Sequence, residues 1–473
     1  MEDEIYPLHS LDDTKSNRQF VSWLLRFNDV LNAEVLHDAL CRLLGQTTWR
    51  KLGGRLKQRT DAKLEIHVPR AYTVERPAVA YHHQSISTTN IDDHAPARCL
   101  PRGFNSSRMK ADVLDMGQCP FIWPTVAPSS VEETIDRDMP LLSIRITTFK
   151  DATLVSLSWP HVVMDAMGAR TLLHCWSLVL LGKDREVPVI SGTNDDVLLQ
   201  EAQQVDSNEV FALEHKRLTG AGELKWGTRS LWDSKFNEKH DFRAICMTPR
   251  TMERLKERVR GEIAHAPNST AFASEHDVLV AWITRAIALS RPKSARPMTV
   301  VSLYDIRCRL PTLLQTTSVY VQNMSLVTFT FLSSQATTGS LGSIAVENRR
   351  HFAEQTTEAQ TLKLLRATQR DIKTQGAPKL LFGEWNAEPL LINNLTKAGI
   401  VQSCNFGPAV IRQGESTERR NNPIGTMTSY SIHDRPAGSA NFLWVLGKDH
   451  GQNYYIMAKL RPKVWQSLEK DLG

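Results

Sequence analysis

Hydrophobic and polar positions alternate along residues 141–149 and 153–159, which predicts two β-strands. The residues between them, Lys150 and Asp151, are typical of a turn, so the two strands are expected to form a hairpin. In the second strand the large apolar side chains and the serines fall on opposite faces, because successive side chains of a strand alternate. Pro160 then ends the pairing, since it has no N–H to donate.

The spacing changes from strand to helix directly after this hairpin. Apolar residues recur with a helical period at Leu172, Leu173, Trp176, Val179 and Leu180, and Gly182 is expected to end the helix. The link between strand and helix is "HVVMDAMG", with His161 at its start and Asp165 at the helix entry. A carboxylate at that entry can cap backbone amides and interact with the positive helix end. The stretch alone leaves open whether His161 and Asp165 are catalytic or an ordinary turn.

Both halves of the chain contain some segments with the alternation of a strand and others with the spacing of a helix. Helices are predicted at 32–46, with Asn32 as N-cap, at 274–290, with a capping box from Ser274 to Asp277, and over most of 343–372. Strands are predicted at 63–70, 298–310 and 325–332, and a hairpin at 441–460. This mixture predicts an α/β fold with two domains, residues 1–185 and 231–473, joined by the polar segment 186–230.

Length and composition limit the class of protein. The chain has 473 residues, more than one typical core, and its 41% hydrophobic and 23% charged residues are ordinary for a globular protein. The net charge of +6 is scattered, which suits an anionic small molecule better than a nucleic acid. The N-terminus is not a secretory signal, and the longest apolar stretch, 176–182, is too short for a membrane span. Seven widely spaced cysteines without a CxxC pair indicate a reducing compartment, so a cytoplasmic protein is expected.

Motifs of several other chemistries are missing. The sequence has no GxGxxG, GxxxxGK[ST], HExxH or GxSxG pattern, and no His/Cys cluster has the spacing of a metal site. His82 and His83 are adjacent in a predicted strand, so they point to opposite faces and are expected on the surface. No bound metal or cofactor is therefore predicted.

Three motifs in a fixed order carry a family resemblance. "HVVMD" (161–165) has the form HxxxD near the end of the first third of the chain. "YDIRCRL" is followed by "YVQNMS", and "NNLTKAGIVQSCNFGPAV" (393–410) comes later. In this order they resemble the BAHD-type acyltransferases, and especially the fungal branch that modifies secondary metabolites, such as trichothecene acetyltransferases. The resemblance extends over nearly the whole chain.

The resemblance implies a fold, a reaction and roles for named residues. It implies two chloramphenicol-acetyltransferase-like domains, with mixed sheets flanked by helices and an active-site channel between them. His161 would be the general base that deprotonates a hydroxyl or amine of a small-molecule acceptor, which attacks an acyl-CoA, with acetyl the commonest donor in the fungal branch. Asp165 would pair with an arginine, Arg307 or else Arg309, and Gly168 would belong to the turn. No metal, redox cofactor or acyl-enzyme is implied, and a monomer is expected.

Two positions depart from the family pattern. Asn405 stands where the family has the aspartate of Asp-Phe-Gly, and Leu395 where it usually has a tryptophan. Asn405 is expected to support the site architecturally. An isomerase, cyclase or dehydratase that uses His161 without CoA is one alternative, and a non-catalytic binder of small molecules is another. A peptide-forming condensation domain would carry a second histidine where this chain has Pro160.

Overall fold

The structure is a computed structural model that describes residues 3–100, 120–121, 130–204, 206, 209–236, 239–265, 271–291, 295–314, 317–418, 420–433 and 440–472. The strands are β1 Glu4–Pro7, β2 Phe20–Phe27, β3 Asp29–Leu31, β4 Arg55–Gln58, β5 Leu64–Val68, β6 Ala80–Ile86, β7 Ser143–Phe149, β8 Thr153–Pro160, β9 Asp241–Met247, β10 Met298–Asp305, β11 Ser325–Leu332, β12 Glu388–Asn394, β13 Val410–Gln413, β14 Met427–His433, β15 Asn441–Lys448 and β16 Tyr454–Leu460. The α-helices are α1 Ala33–Gly45, α2 Val131–Asp136, α3 Ala166–Leu180, α4 Val197–Gln203, α5 Ala221–Phe236, α6 Pro249–Ala264, α7 Glu275–Leu289, α8 Pro311–Leu314, α9 Ser334–Thr337, α10 Leu341–Gln355, α11 Glu358–Gln375 and α12 Pro462–Leu472.

Two large mixed sheets form the framework. The first sheet has the strand order β14-β2-β8-β7-β6, antiparallel except for the parallel pair β6 and β7. The second sheet has the order β11-β10-β12-β15-β16-β9, with β12 parallel to both of its neighbours. Helices α6, α7, α10 and α12 supply much of the apolar cluster that packs on the second sheet. The predicted mixed α/β class is confirmed.

The second half of the chain contributes strands to the first half. β14 pairs with β2 at the edge of the first sheet, and β13 pairs with β3 in a two-stranded ribbon. The buried ion pair between Arg420 and Asp29, with Nη2···Oδ2 2.8 Å, holds the loop between β13 and β14. The division at 185 and 231 stays a prediction, and it has to accommodate this return of residues 410–433 to the first sheet.

The locally encoded elements match their predictions closely. The hairpin of β7 and β8 forms, Asn32 accepts from the N–H groups of Glu34 and Val35 at the start of α1, and the capping box of Ser274 is present on α7. The predicted strand 298–310 was too long, because β10 ends at Asp305 and the chain turns there. The segment 343–372 is mostly helical, as predicted, and lies in the two helices α10 and α11.

The predicted connecting segment 186–230 has structure of its own. It contains α4 and most of α5, and Leu198, Ala202 and Phe211 are buried in an apolar cluster with residues of the second half. No helix in the described ranges is long and apolar enough to cross a membrane. Cys41, Cys175, Cys246, Cys308 and Cys404 form no disulfide, and Cys119 lies outside the described residues.

Candidate active site

His161 lies on the short link between strand β8 of the first sheet and helix α3. Pro160 is the last residue of β8 and pairs with Phe20 at the start of β2. The His161 N–H donates to the carbonyl of Gln19 at 2.8 Å, and its carbonyl accepts from Asn323 Nδ2 at 2.9 Å. Both backbone polar groups of His161 are therefore fixed, one by the first half of the chain and one by the second.

The imidazole of His161 is not used to hold the turn. The residue is half-buried, and its Nδ1 is buried without a hydrogen-bond partner. A buried ring nitrogen that is left unpaired is uncommon, since such groups usually find partners. The backbone of His161 is thus fixed, while its Nδ1 is not occupied by any protein group.

Asp165 caps α3 and also binds Arg307. Its Oδ1 accepts from the N–H groups of Met167 and Gly168 at 3.1 and 3.0 Å, as expected for an N-cap. Arg307 donates to both carboxylate oxygens, from Nη2 to Oδ1 at 3.0 Å and from Nη1 to Oδ2 at 3.1 Å. The N–H of Met324 donates to Oδ2 at 3.0 Å. These five bonds occupy the carboxylate, and none of them involves the His161 ring.

The arginine that contacts Asp165 is Arg307. Its guanidinium also donates to Asp305 Oδ1 at 2.8 Å and to the carbonyls of Tyr320 and Gln322 at 3.1 and 2.6 Å. Burial acts to lower the pKa of Arg307, but the charges of Asp165 and Asp305 outweigh it and raise that pKa above its ordinary value. Arg309, the other candidate, lies over the ring of Phe352 at 5.5 Å from its centroid.

Gly168 lets residues 320–324 approach the first turn of α3. A Cβ at this position would lie 2.1 Å from the carbonyl oxygen of Val321 and 2.9 Å from the Cβ of Met164. Backbone would have to move to accept any side chain here, since neither contact is the end of a flexible group. Gly168 therefore permits the contact by which Arg307, Asn323 and Met324 reach the turn of His161 and Asp165.

Asp12 is a partner of this turn that no sequence pattern predicts. Asp12 is 1% exposed, and its Oδ1 accepts from the N–H and the Nδ2 of Asn323 at 2.8 and 2.9 Å. The same Nδ2 donates to the carbonyl of His161. Burial raises the pKa of Asp12 and lowers that of Lys51, whose charge acts on it. The long separation of Asp12 from residue 323 leaves no local pattern that could have revealed the contact.

The two departures from the family pattern lie in structural positions. Asn405 is exposed, and its Oδ1 accepts from the N–H of Gly407 at 2.8 Å while its own N–H donates to Ser177 Oγ at 2.8 Å. Phe406 is fully buried against Phe27 and Trp176. Leu395 is 7% exposed and belongs to the core cluster of the first sheet. These contacts support an architectural role for this segment.

Titratable side chains elsewhere do not assemble into a metal site. Within the residues described, no group of three or more His, Cys, Asp or Glu side chains is placed to hold a metal ion. Among the predicted surface histidines, His82 is half-buried and His83 is exposed, and both lie on the edge strand β6.

Removing the Asp165 carboxylate should destabilise the fold and the site together. Asp165→Ala leaves Arg307 buried with only Asp305 as an acidic partner, so the free energy of unfolding should fall by about 3 kcal/mol, the lower end for breaking a buried pair. Asp165→Asn should be milder, because its amide oxygen still accepts hydrogen bonds. Urea unfolding monitored by circular dichroism measures both variants against the exposed control Asp184→Ala. Full stability of Asp165→Ala would show that the carboxylate does not hold the turn.

Comparisons with known proteins place the chain in a family. Residues 112–407 match the model of a family described as Transferase family. An O-acetyltransferase PaAT-2 of Phomopsis amygdali is 31% identical over 99% of this chain and 98% of its own. Acetyltransferase BOT5 of Botryotinia fuckeliana is 31% identical over 100% of this chain and 90% of its own.

The fold is similar to that of a solved protein that binds coenzyme A. The structure of F. graminearum TRI101 in complex with coenzyme A and T-2 mycotoxin aligns with a TM-score of 0.71 and 12% identity, over 99% of this chain and 97% of that one. At this identity the likeness shows the fold, whereas the family follows from the family model and the relatives. The chain belongs to the transferase family of BAHD-type acyltransferases, in the fungal branch that acts on secondary metabolites.

Proposed function

We propose that this protein transfers an acyl group, most simply acetyl, from acyl-CoA directly to a hydroxyl of a small-molecule secondary metabolite, with His161 as the general base. One observation carries the proposal: the His161 backbone is fixed at both its N–H and its carbonyl, while its Nδ1 has no partner. A general base needs this combination of a fixed position and an unoccupied ring. The names of two relatives, both acetyltransferases, support acetyl as the group transferred.

In this reaction the imidazole ring of His161 accepts a proton from the acceptor and later donates it to the leaving thiolate. The imidazole takes the proton of the acceptor hydroxyl as its oxygen attacks the thioester carbonyl. The tetrahedral intermediate then collapses, the C–S bond breaks, and the imidazolium returns the proton to the CoA thiolate. Asp165 takes no part in this transfer, because Arg307, Met324 and the N-terminal amides of α3 occupy both of its oxygens.

The proposal extends to the localisation, the oligomeric state and the ligands of the protein. We infer a cytoplasmic monomer that requires no metal or redox cofactor and that binds neither nucleic acid nor membrane. No contact in the described residues favours the isomerase, cyclase or dehydratase alternative, and the family assignment argues against a non-catalytic binder.

Loss of the imidazole should remove the general base. His161→Ala should lower kcat by about 10²–10⁴-fold, the range that a positioned general base contributes. Free CoA thiol released from acetyl-CoA in the presence of a panel of metabolite alcohols gives the rate. His174→Ala is the matched control, because His174 lies exposed on α3 just beyond the site. Wild-type turnover by His161→Ala would refute the assignment.

Both substrates should be bound together when the acyl group moves. Residues 162–164 are Val, Val and Met, and burial raises the pKa of the Cys175 and Cys404 thiols to about 12, so neither of these thiols is ionised to hold the acyl group. Initial rates with both substrates varied should therefore give intersecting lines in double-reciprocal plots. Parallel lines, or an acyl group on the protein by mass spectrometry after mixing with acyl-CoA alone, would contradict direct transfer.

The amide at position 405 should be interchangeable with the carboxylate of the family pattern. Asn405→Asp keeps an oxygen that can accept from Gly407, so CoA affinity by titration calorimetry should change by less than about threefold, below the worth of one typical hydrogen bond. A large gain in affinity would show that the departure weakens CoA use and would favour the CoA-independent alternative.

A further inference from the structure

Residues 161–165 form the link between β8 and α3 and belong to no helix or strand. Backbone polar groups of such a link lack the regular partners of a helix or sheet, so each buried one needs another partner. The N–H of Val163 donates to the carbonyl of Pro160 at 3.0 Å. Met164, which follows, is completely buried, so its carbonyl oxygen needs a hydrogen bond from inside the protein.

The indole of Trp159 supplies that hydrogen bond. Its Nε1–H donates to the carbonyl oxygen of Met164 at 3.0 Å. Because Trp159 precedes the last residue of β8, the bond reaches across the link and closes a loop that contains His161. Trp159 is 1% exposed, so water has no access from which to replace its N–H. The loop around His161 is therefore closed by one buried side chain.

The orientation of this indole is fixed by a row of aromatic rings across three strands. Trp159 on β8 contacts Trp23 on β2 edge-to-face, with centroids 5.4 Å apart and an interplanar angle of 77°. Trp23 contacts Tyr430 on β14 at 5.3 Å between centroids. Edge-to-face pairs of this kind are a favourable aromatic geometry. We call Trp159, Trp23 and Tyr430 the aromatic column, and all three are buried in one core cluster.

The far end of the aromatic column is attached to the second sheet. The hydroxyl of Tyr430 donates to the carbonyl of Leu446 on β15 at 2.8 Å. A continuous set of buried contacts thus runs from the carbonyl of Met164 to β15. This connection is separate from the ion pair of Arg307 and Asp165. Since close-packed interiors yield little, the column leaves the indole of the link little freedom to move.

We infer that Trp159 is a positioning residue for the base His161, an inference that rests on the proposed function. The backbone of His161 is fixed by Gln19 and Asn323 at the start of the link, and the indole fixes Met164 near its end. A link that is held near both ends keeps the imidazole at a constant distance from the reacting hydroxyl. Displacing a reacting group by about 1 Å can lower a rate by about 10²-fold.

Steady-state kinetics test the positioning role. Trp159→Phe keeps an aromatic ring but loses the N–H, so kcat for acetyl transfer should fall by roughly 10- to 100-fold while the KM for acetyl-CoA stays within about twofold. Trp49→Phe is the matched control, because Trp49 is also 1% exposed and its Nε1–H also donates to a buried backbone carbonyl, that of Pro188 at 2.8 Å. Wild-type kcat in Trp159→Phe, or an equal loss of kcat in Trp49→Phe, would overturn the inference.

Hydrogen exchange tests the same role without any substrate. In the full-length protein, Trp159→Phe should speed deuterium uptake by peptides that cover the link 161–165, because an unpaired Met164 carbonyl loosens it. Trp49→Phe should leave uptake there at the wild-type rate. Unchanged uptake in Trp159→Phe would overturn the inference. Faster uptake in the link, together with a wild-type protein that transfers no acyl group, would keep the positioning role of Trp159 and refute the proposed function.

A second variant separates the hydrogen bond from the volume of the ring. Site-specific replacement of Trp159 by benzothienylalanine keeps the size of the indole and puts sulfur in place of the N–H. This variant leaves the packing of the aromatic column in place, so it serves where Trp159→Phe does not fold. It should show the same fall in kcat and the same faster uptake in the link. Wild-type values for both measurements would overturn the inference.

Discussion

The contact between Arg307 and Asp165 is the interaction on which the candidate site depends. Asp165 belongs to the turn after β8, and Arg307 follows β10 in the second sheet. The guanidinium binds both carboxylate oxygens and two backbone carbonyls, so it joins the N-terminus of α3 to residues 320–324. Bidentate geometry of this kind orients both partners as well as attracting them. The position of His161 is consequently a property of both halves of the chain.

The same contact explains why the turn has little freedom. Gly168 allows the backbone of Val321 to approach α3, and Asn323, held by Asp12, reaches the carbonyl of His161. Three segments distant in sequence thus converge on one short turn. A general base, the role proposed for His161, must lie at a defined distance from the proton that it accepts. Fixed surroundings favour this role, because a small displacement of the base lowers the reaction rate strongly. The carboxylate of HxxxD serves this fixed geometry, and none of its hydrogen bonds involves the imidazole of His161.

Local elements were predictable because their signals lie within a few residues. The cap of Asn32, the capping box of Ser274 and the hairpin of β7 and β8 each follow from neighbouring residues. The return of β14 to the first sheet was not predictable, since the alternation in a strand does not name its partner. Of the site, His161 and Asp165 came from the motif and Arg307 from the resemblance. Asp12 required a contact across more than three hundred residues, which no spacing can indicate.

Positions 395 and 405 can differ from the family pattern because the contacts that stabilise this segment do not require the family's side chains there. In the segment 393–410, which includes Asn405, much of the burial energy comes from the ring of Phe406, which packs on Phe27 and Trp176. The side chain at 405 accepts one backbone N–H, a task for which an amide and a carboxylate oxygen are equivalent. Leu395 fills core volume beside α3 without a polar contact to replace. The sequence can therefore differ from the family pattern at both positions while the contacts that position His161 remain intact.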